Sequence, residues 1–187
     1  MKKYIIPSIR ITLVLTVLLC IIYPVSIMLI GKLSNGKGDG EQISVNGKVI
    51  GYANIGQNFT KPQYFWGRPS AVGYNAAGSG GSNKGPTNPD YLKDVQKRVD
   101  TLLKYHPYLK ANDIPSDMVT ASGSGLDPDI SPEPAKMQVK RVAENRKIDQ
   151  QKIAQLVDSH IEKPLLGLFG PQKVNVLKLN VALDQLK

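Results

Sequence analysis

The chain has 187 residues, which is enough for one domain of ordinary size with an appendage. It carries 24 Lys and Arg against 15 Asp and Glu, a net charge of +9. The basic residues are scattered and do not form a stripe with interleaved aromatic residues, which argues against a nucleic-acid partner. Anionic lipid headgroups or an acidic protein surface are the partners that this charge favours.

The N-terminal segment predicts a single transmembrane helix. Residues 11–30 are apolar apart from two threonines, a proline and a serine, and none of them is charged. Twenty helical residues span about 30 Å, the thickness of the hydrocarbon core of a bilayer. The run is longer than the apolar region of a cleaved signal peptide, about 7 to 15 residues, and no small-residue cleavage site follows it. We predict a membrane-spanning helix over residues 11–31, with a candidate kink at Pro24.

The charges that flank this helix predict its orientation. Lys2, Lys3 and Arg10 crowd the N-terminal flank with no acidic residue beside them. The positive-inside rule then predicts that residues 1–10 are cytoplasmic. A linker over residues 32–42 and an accessory domain over residues 43–187 would lie outside the cytoplasm.

The accessory domain is predicted to be an α+β domain, so the fold class is a single transmembrane helix followed by one soluble α+β domain. A hairpin is predicted over residues 43–50, because Asn46 and Gly47 separate two alternating apolar runs. The segment 173–181 is predicted to be a strand, with Leu177, Leu179 and Val181 on one face.

Three helices are predicted between the hairpin and this strand. Asn88 caps the first, which ends near residue 105, Ser131 caps the second and Asp149 caps the third. The surface of the second helix is predicted to be basic, because its apolar face is accompanied by four cationic residues: Lys136, Lys140, Arg141 and Arg146.

Two loops are candidate partner-binding segments. Residues 61–70 concentrate three aromatic residues, and Phe65, Trp66 and Arg68 among them are either an exposed anchor set or a lid on the local core. Residues 73–89 are rich in Gly, Asn and Ser, and so long a segment is functional, disordered or packed as a compact loop.

Three kinds of chemistry fit the sequence poorly. The glycine-rich stretch at 78–85 lacks the Gly-Lys-Ser/Thr order of a phosphate-binding loop. Ser122 and Ser124 lack the G-x-S-x-G elbow of a hydrolase, and the two histidines, His106 and His160, are interpreted as surface or helix-end residues without a matched acid. Asp127 and Asp129 are spaced like metal ligands, but the twelve-residue calcium loop is missing, so we expect no bound metal.

The same segments resemble the C subunit of the Kdp-type potassium-importing P-type ATPase of prokaryotes. The resemblance spans nearly the whole chain and covers the N-terminal span and six motifs in order, namely IGQNF at 55–59, YFWGRPS at 64–70, SGGSN at 79–83, TASGSGLDP at 120–128, QVKRVA at 138–143 and FG...VNVLKLN at 169–180.

The resemblance implies a high-affinity potassium import complex with several partners. These are a channel-like subunit, an ATP-hydrolysing P-type subunit, a small single-span subunit and the lipid bilayer. The chain itself lacks the phosphorylatable Asp-Lys-Thr-Gly motif, so the resemblance implies a non-catalytic accessory subunit without a cofactor of its own.

The family is described as a catalytic chaperone that raises the ATP affinity of the hydrolysing subunit. That role implies nucleotide contact, for which Gln138, Arg141 and Arg146 are candidates. An extracytoplasmic domain cannot meet cytoplasmic ATP, however, so we favour a role in assembly and stabilisation. Asp127 and Asp129 are further candidates, for attracting cations to the potassium entrance.

The expected partner-facing residues lie in two loops, and two other functions stay open. The candidates are Phe65, Trp66, Arg68, Ser79, Ser82 and Asn83. The alternatives are a membrane-anchored hydrolase that uses Ser122 or Ser124, and a protein that senses a small ligand or a nucleotide.

Overall fold

The structure is a computed structural model that describes residues 2–186. The chain divides into two compact units, Met1–Gln42 and Ile43–Lys187. The first is a long apolar helix and the second mixes helices with short strands, as the predicted fold class requires.

The first unit is helical from the start of the described chain. Helix α1 covers Lys2–Val17, a π-helical turn covers Leu18–Ile22, and helix α2 covers Tyr23–Gly31. Within residues 2–186, this is the one helix that is long and apolar enough to cross a membrane. The predicted span lies inside it, and the helix also includes the basic N-terminal flank.

Pro24 explains the π-helical turn. A proline inside an α-helix has no N–H to donate, and its ring collides with the carbonyl four residues earlier. The N–H of Tyr23 donates to the carbonyl of Leu18, five residues back, so the helix widens just before the proline. Pro24 then lies in the first turn of α2, where the missing donor costs little.

The second unit begins with the predicted hairpin. Strand β1 covers Gln42–Val45 and strand β2 covers Lys48–Tyr52. Asn46 and Gly47 have φ values of 51° and 76°, as a two-residue type I′ turn requires. The hairpin prediction is confirmed.

Three helices follow at the predicted places. They are α3 over Pro89–Tyr105, α4 over Pro132–Arg146 and α5 over Gln150–Ser159. Asn88 accepts from the N–H groups of Asp90 and Tyr91, and Asp149 accepts from that of Gln151 at 2.8 Å, so both predicted caps are confirmed.

Ser131 is the N-cap residue of α4 and Pro132 begins the helix, as predicted, but the predicted capping by the Ser131 side chain is wrong. Its side chain makes no hydrogen bond to the first turn of α4. The Ser131 hydroxyl instead donates to the carboxylate of Asp117 at 2.9 Å, and its backbone N–H donates to the same oxygen. The Ser131 hydroxyl therefore bonds to a carboxylate fourteen residues earlier and not to the first turn of its own helix.

The predicted strand over 173–181 is mostly wrong. Strand β5 covers only Lys173–Asn175, and helix α6 covers Val176–Gln185. The side chain of Asn175 accepts from the N–H of Lys178 at 3.0 Å, which is a helix cap. Val176, Leu179 and Leu183 are buried at helical spacing, and this pattern prevails over the alternation of apolar residues that suggested a strand.

A three-stranded antiparallel sheet orders the core of the second unit. Strand β3 covers Asp129–Ile130 and strand β4 covers Ile161–Glu162, and β5 lies between them. Val174 of β5 pairs with Ile130 on one side and Ile161 on the other. The main core cluster joins this sheet to α4, α5 and α6, and it contains Phe65, Ile130, Ala135, Val139, Val142, Ala143, Ile153, Val157, Val174, Val176, Leu179 and Leu183.

Candidate functional site

The backbone of Phe65 and Trp66 is held by two buried amide side chains. Asn180 accepts from the N–H of Phe65 at 2.8 Å and donates to its carbonyl at 2.9 Å. Gln138 accepts from the N–H of Trp66 at 2.7 Å and donates to its carbonyl at 3.1 Å. Each amide thus satisfies both polar groups of one residue, as a neighbouring strand would.

Arg141 ties this arrangement to the rest of the unit. Its guanidinium donates to the Gln138 amide oxygen at 2.6 Å, to the carbonyl of Tyr64 at 3.0 Å and to the carbonyl of Pro62. It also lies 4.2 Å from the centre of the Trp66 ring. Arg141 is only 1% exposed, so its predicted place on a basic surface is wrong. Burial lowers its pKa to about 10.

His106 completes the cluster as a neutral imidazole. Arginine can only donate, so the 3.0 Å hydrogen bond from Arg141 Nε makes His106 Nε2 an acceptor. The proton is then on Nδ1, which lies 2.8 Å from the carbonyl of Leu102. Burial lowers the pKa of His106, and the charge of Arg141 acts in the same direction. His106 lies at a helix end, which is one of the two positions predicted for it, and it is fully buried there.

A basic and aromatic groove lies beside this cluster. Its cavity volume is about 530 Å³. The Trp66 ring forms part of the wall and meets Tyr105 edge to face, with 5.1 Å between ring centres. We call it the Trp66 groove, and it is lined by Asn58, Phe59, Thr60, Trp66, Gly67, Arg68, Pro69, Ser70, Gly73, Tyr74, Lys97, Arg98, Thr101, Leu102, Tyr105 and Met118.

The charge of the Trp66 groove is one-sided. Arg68, Lys97 and Arg98 are among its lining residues, and none of those residues is acidic. Two of these cations have a carboxylate nearby outside the lining, Asp127 beside Arg68 and Asp94 at 3.9 Å from Lys97, so the positive excess is smaller than three charges. Arg98 also donates to the carbonyl of Val119 at 2.7 Å, which fixes its position. Tyr74 is neutral here, because burial and the nearby Asp127 carboxylate raise its pKa to about 12. The groove therefore favours a negatively charged ligand group.

The two aspartates proposed to attract cations are already paired with cationic side chains. Asp127 lies 3.1 Å from the Arg68 guanidinium, and Asp129 lies 2.8 Å from the Lys173 ammonium. The hydrogen bond to Asp129 raises the pKa of Lys173, which keeps that pair charged. Within residues 2–186, no three His, Cys, Asp or Glu side chains form a group that could hold a metal ion.

The glycine-rich segment is packed as a compact loop. The Ser79 hydroxyl and the Gly80 N–H both donate to the carbonyl of Ser124, at 2.9 and 2.8 Å. Gly125 has a φ of +69°, and a Cβ there would come 2.5 Å from Val72. The close approach of the two loops therefore requires glycine at this position. Ser79 and Asn83 are exposed and Ser82 is half-buried.

The two candidate nucleophiles have local structural roles. Ser122 accepts from the N–H of Gly125 at 2.9 Å, and Ser124 accepts from the N–H of Leu126 at 3.1 Å. These bonds hold the turn against which the glycine-rich loop packs. In the described chain, His106 bonds to Leu102 and Arg141, and His160 bonds to Leu156 and Ser159, so neither histidine is paired with Ser122 or Ser124.

The side chains of the other predicted site residues differ in how far they are exposed to solvent. Phe65 is fully buried. Of the two alternatives, its side chain therefore covers the local core and is not an exposed anchor. Gln138 is also fully buried. Arg146 bonds to the carbonyl of Gln63 at 2.9 Å and to Asp184 at 2.5 Å. Trp66 and Arg68 keep partial exposure and line the groove.

Several residues of the site were missed by sequence reasoning. Asn180 and His106 escaped because their partners lie far away in the chain. One available signal was Asn180 itself, a polar amide among apolar residues of the VNVLKLN segment. Lys97, Arg98 and Tyr105 were assigned to a helix but not to a site.

Comparison with known proteins identifies the family. The family model described as KdpC, the c chain of a K+-transporting ATPase, matches residues 5–185. The chain belongs to the KdpC family. The resemblance noted from the sequence is thereby confirmed. As a member, the chain is a subunit of a potassium-transporting ATPase complex and is membrane-anchored by its N-terminal helix.

Curated relatives in the KdpC family match along nearly their whole length. A potassium-transporting ATPase KdpC subunit from Flavobacterium johnsoniae is 62% identical over 178 residues, covering 95% of this chain and 96% of the relative. One from Bacteroides fragilis is 53% identical over 188 residues, covering 99% and 98%. One from Caldanaerobacter subterraneus is 47% identical over 177 residues, covering 94% and 92%.

Replacing Arg141 tests whether the buried cluster stabilises the fold. Arg141→Met leaves the carbonyls of Tyr64 and Pro62 and the Nε2 atom of His106 without their donor. Unsatisfied buried acceptors cost about 1–3 kcal/mol each and do not add fully, so we expect a loss of about 3–5 kcal/mol in the free energy of unfolding. Denaturant unfolding of the full chain in detergent measures this loss.

The matched control is Lys140→Met on the same helix. Lys140 is exposed and lies 4.5 Å over the Tyr108 ring, a contact worth roughly 0.5–1 kcal/mol. If the two variants lost equal stability, the structural role assigned to Arg141 would be wrong.

The buried His106 predicts that acid weakens the fold. In the unfolded chain the imidazole has a pKa of about 6.5, and in the folded chain its pKa is lower. The unfolded state therefore binds more protons below about pH 6.5, so the free energy of unfolding decreases as the pH falls until it passes the folded pKa.

A variant isolates this contribution from that of the carboxylates. His106→Gln keeps an acceptor for Arg141 but does not titrate, so we expect a shallower loss of unfolding free energy between about pH 7.5 and about pH 5. His160→Gln, at the end of α5 and outside the Arg141 cluster, is the control for a histidine-to-glutamine change. Equal slopes for the original chain and His106→Gln would contradict the assignment.

Proposed function

We propose that the chain is a non-catalytic accessory subunit whose second unit docks onto its partner subunits from the extracytoplasmic side. The carrying observation is that Gln138 and Arg141 are buried and bonded to the backbone of residues 62–66. The polar groups most suited to nucleotide contact therefore build a scaffold. That scaffold presents the wall of the Trp66 groove.

The composition of the Trp66 groove supports docking onto a protein surface. Trp, Tyr and Arg are the residue types that contribute most to binding energy at interfaces. Trp66 and Tyr105 stand next to Arg68, Lys97 and Arg98, which suits an acidic segment of a partner. The loop with Ser79, Ser82 and Asn83 would extend the same docking surface.

The partners in this proposal are the channel-like and ATP-hydrolysing subunits, with the small single-span subunit and the bilayer beside the helix. Docking on the first two would stabilise their assembly. An effect on the ATP affinity of the hydrolysing subunit would then be indirect, through the contact with partners. Asp127 and Asp129, each paired with a cation, would act as structural ion pairs more than as collectors of potassium.

The orientation in this proposal rests on the basic flank of Lys2, Lys3 and Arg10. Asn83→Cys in a Cys20→Ser background places a thiol on an exposed loop. We expect an impermeant thiol reagent to label it in intact cells stripped of any outer barrier. Protection until the cells are lysed would place the second unit in the cytoplasm and overturn the proposed side.

Charge reversal in the groove tests docking. Lys97→Glu puts a negative charge on the groove wall, and we expect several-fold weaker retention of the chain in the purified complex, with greater sensitivity to salt. Co-purification with the other subunits at increasing ionic strength measures both effects.

Lys93→Glu is the matched control for this test. Lys93 lies one turn earlier on α3, outside the groove lining, and is similarly exposed, at 73% against 78%. Each lysine also lies near an aspartate three residues earlier. Docking through the groove would be refuted by equal retention of both variants.

A further inference from the structure

A short apolar loop projects between strands β4 and β5. Its four large apolar side chains are among the most exposed of the second unit, with 70% exposure for Leu165, 81% for Leu166, 82% for Leu168 and 64% for Phe169. Within residues 43–186 the remaining exposed large apolar residues are at most 51% exposed. So contiguous an apolar patch marks an interaction surface. We call residues 164–170 the apolar loop.

The backbone of the apolar loop is closed on itself. The N–H of Leu165 donates to the carbonyl of Phe169 at 2.9 Å, and the N–H of Phe169 donates back at 3.0 Å. Inside this pair, Gly167 donates to Pro164 at 2.9 Å and Leu168 donates to Leu165 at 3.1 Å. Four backbone donors thus have partners without any contact outside the loop.

The tip of the loop holds a leucine in an unfavourable conformation. Leu166 and Gly167 have φ values of 54° and 73°, a left-handed pair that suits Asn-Gly or Gly-Gly. A left-handed conformation costs a residue with a Cβ roughly 1–2 kcal/mol. The 81% exposed side chain of Leu166 adds nothing to the core in return. A leucine here makes physical sense if its side chain is buried against something outside this chain.

Lipid is the occupant that the chemistry of the loop favours. Within hydrocarbon, unsatisfied backbone groups are prohibitively costly, and this loop satisfies four of its six backbone N–H groups internally. A protein partner could supply hydrogen bonds to a loop with unpaired backbone groups, whereas hydrocarbon cannot. The exposed Lys163 directly precedes the loop, and a cation at that place suits anionic headgroups.

Because the N-terminal helix already anchors the chain, weak insertion of the apolar loop would be enough to hold the loop at the bilayer. The helix over residues 3–31 is joined to the second unit by a short linker, so the second unit cannot diffuse away from the bilayer. A tethered group binds at a high effective concentration, and a small apolar patch then suffices. Interfacial elements of this kind bury their apolar side chains about 5–10 Å into the boundary between headgroups and acyl chains.

We propose that the apolar loop inserts into the interface of the bilayer in which the N-terminal helix is anchored. The loop would be a second membrane contact that limits the freedom of the second unit. The proposal does not depend on which side of the membrane that unit lies, nor on docking through the Trp66 groove.

Spin labelling of the loop tests this proposal. Leu168→Cys in the Cys20→Ser background carries a nitroxide at an exposed position, in the full complex reconstituted in bilayers of phosphatidylethanolamine and phosphatidylglycerol. Power saturation then compares collisions with oxygen, which concentrates in lipid, and with a water-soluble nickel chelate. We expect the ratio of oxygen to nickel collisions to be several-fold higher at 168 than at a label on Lys93→Cys.

The other two outcomes overturn the proposal. A ratio at 168 equal to that at 93, with frequent nickel collisions, would mean that the loop lies in water. Infrequent collisions with both reagents would mean that a protein surface covers it, and the loop would then be a subunit contact. Docking of Lys97→Glu and the labelling of Asn83→Cys are separate measurements, so failure here leaves the proposed function standing.

Discussion

The second unit depends on one constraint, the need to hydrogen-bond the buried backbone of residues 62–66. This segment enters the core at Phe65 and has no neighbouring strand to pair with its N–H and C=O groups. Leaving them unpaired would cost about 1–3 kcal/mol for each group. Gln138 from α4 and Asn180 from α6 supply the hydrogen bonds that a neighbouring strand would make. Arg141 donates to the carbonyls of residues 62 and 64, which precede Phe65. Two helices are thereby locked to one loop.

Satisfying this constraint decides which polar residues remain for function. Gln138 and Arg141 are the strongest candidates for nucleotide contact by residue type, yet their hydrogen-bonding groups are turned inward. The same contacts fix the Trp66 ring between Arg141 and Tyr105, where it forms one wall of a cationic groove. Scaffold and docking surface are therefore two sides of one arrangement. A neutral His106 is part of it, which links the stability of the groove to pH.

The surface of the chain divides into regions with different chemistry. The Trp66 groove joins cations to aromatic rings and suits an acidic protein segment. The apolar loop carries leucines and a phenylalanine over a backbone that satisfies four of its own donors, and it suits lipid. Asp127 and Asp129 belong to neither region. Each is neutralised by a cationic side chain, and the two ion pairs hold loops and strands together. An accessory subunit that stabilises a membrane complex needs contacts of both kinds.

Features that depend on neighbours along the chain are predictable from the amino-acid sequence. Hydrophobic periodicity and turn chemistry predict the apolar helix and the Asn46-Gly47 hairpin. Hydrogen bonds between residues two or three positions apart explain the caps at Asn88 and Asp149. The other features depend on contacts between residues that are distant in the chain. Residues 176–185 form a helix because Val176, Leu179 and Leu183 pack into a core built by distant elements, and Ser131 bonds to Asp117 instead of capping its helix. The sequence predicts that Arg141 is a surface cation. In the fold it is buried, because it donates to the carbonyls of residues 62 and 64, almost eighty positions earlier in the chain. Burial and long-range partners set the role of a polar side chain, and neither is encoded in local spacing.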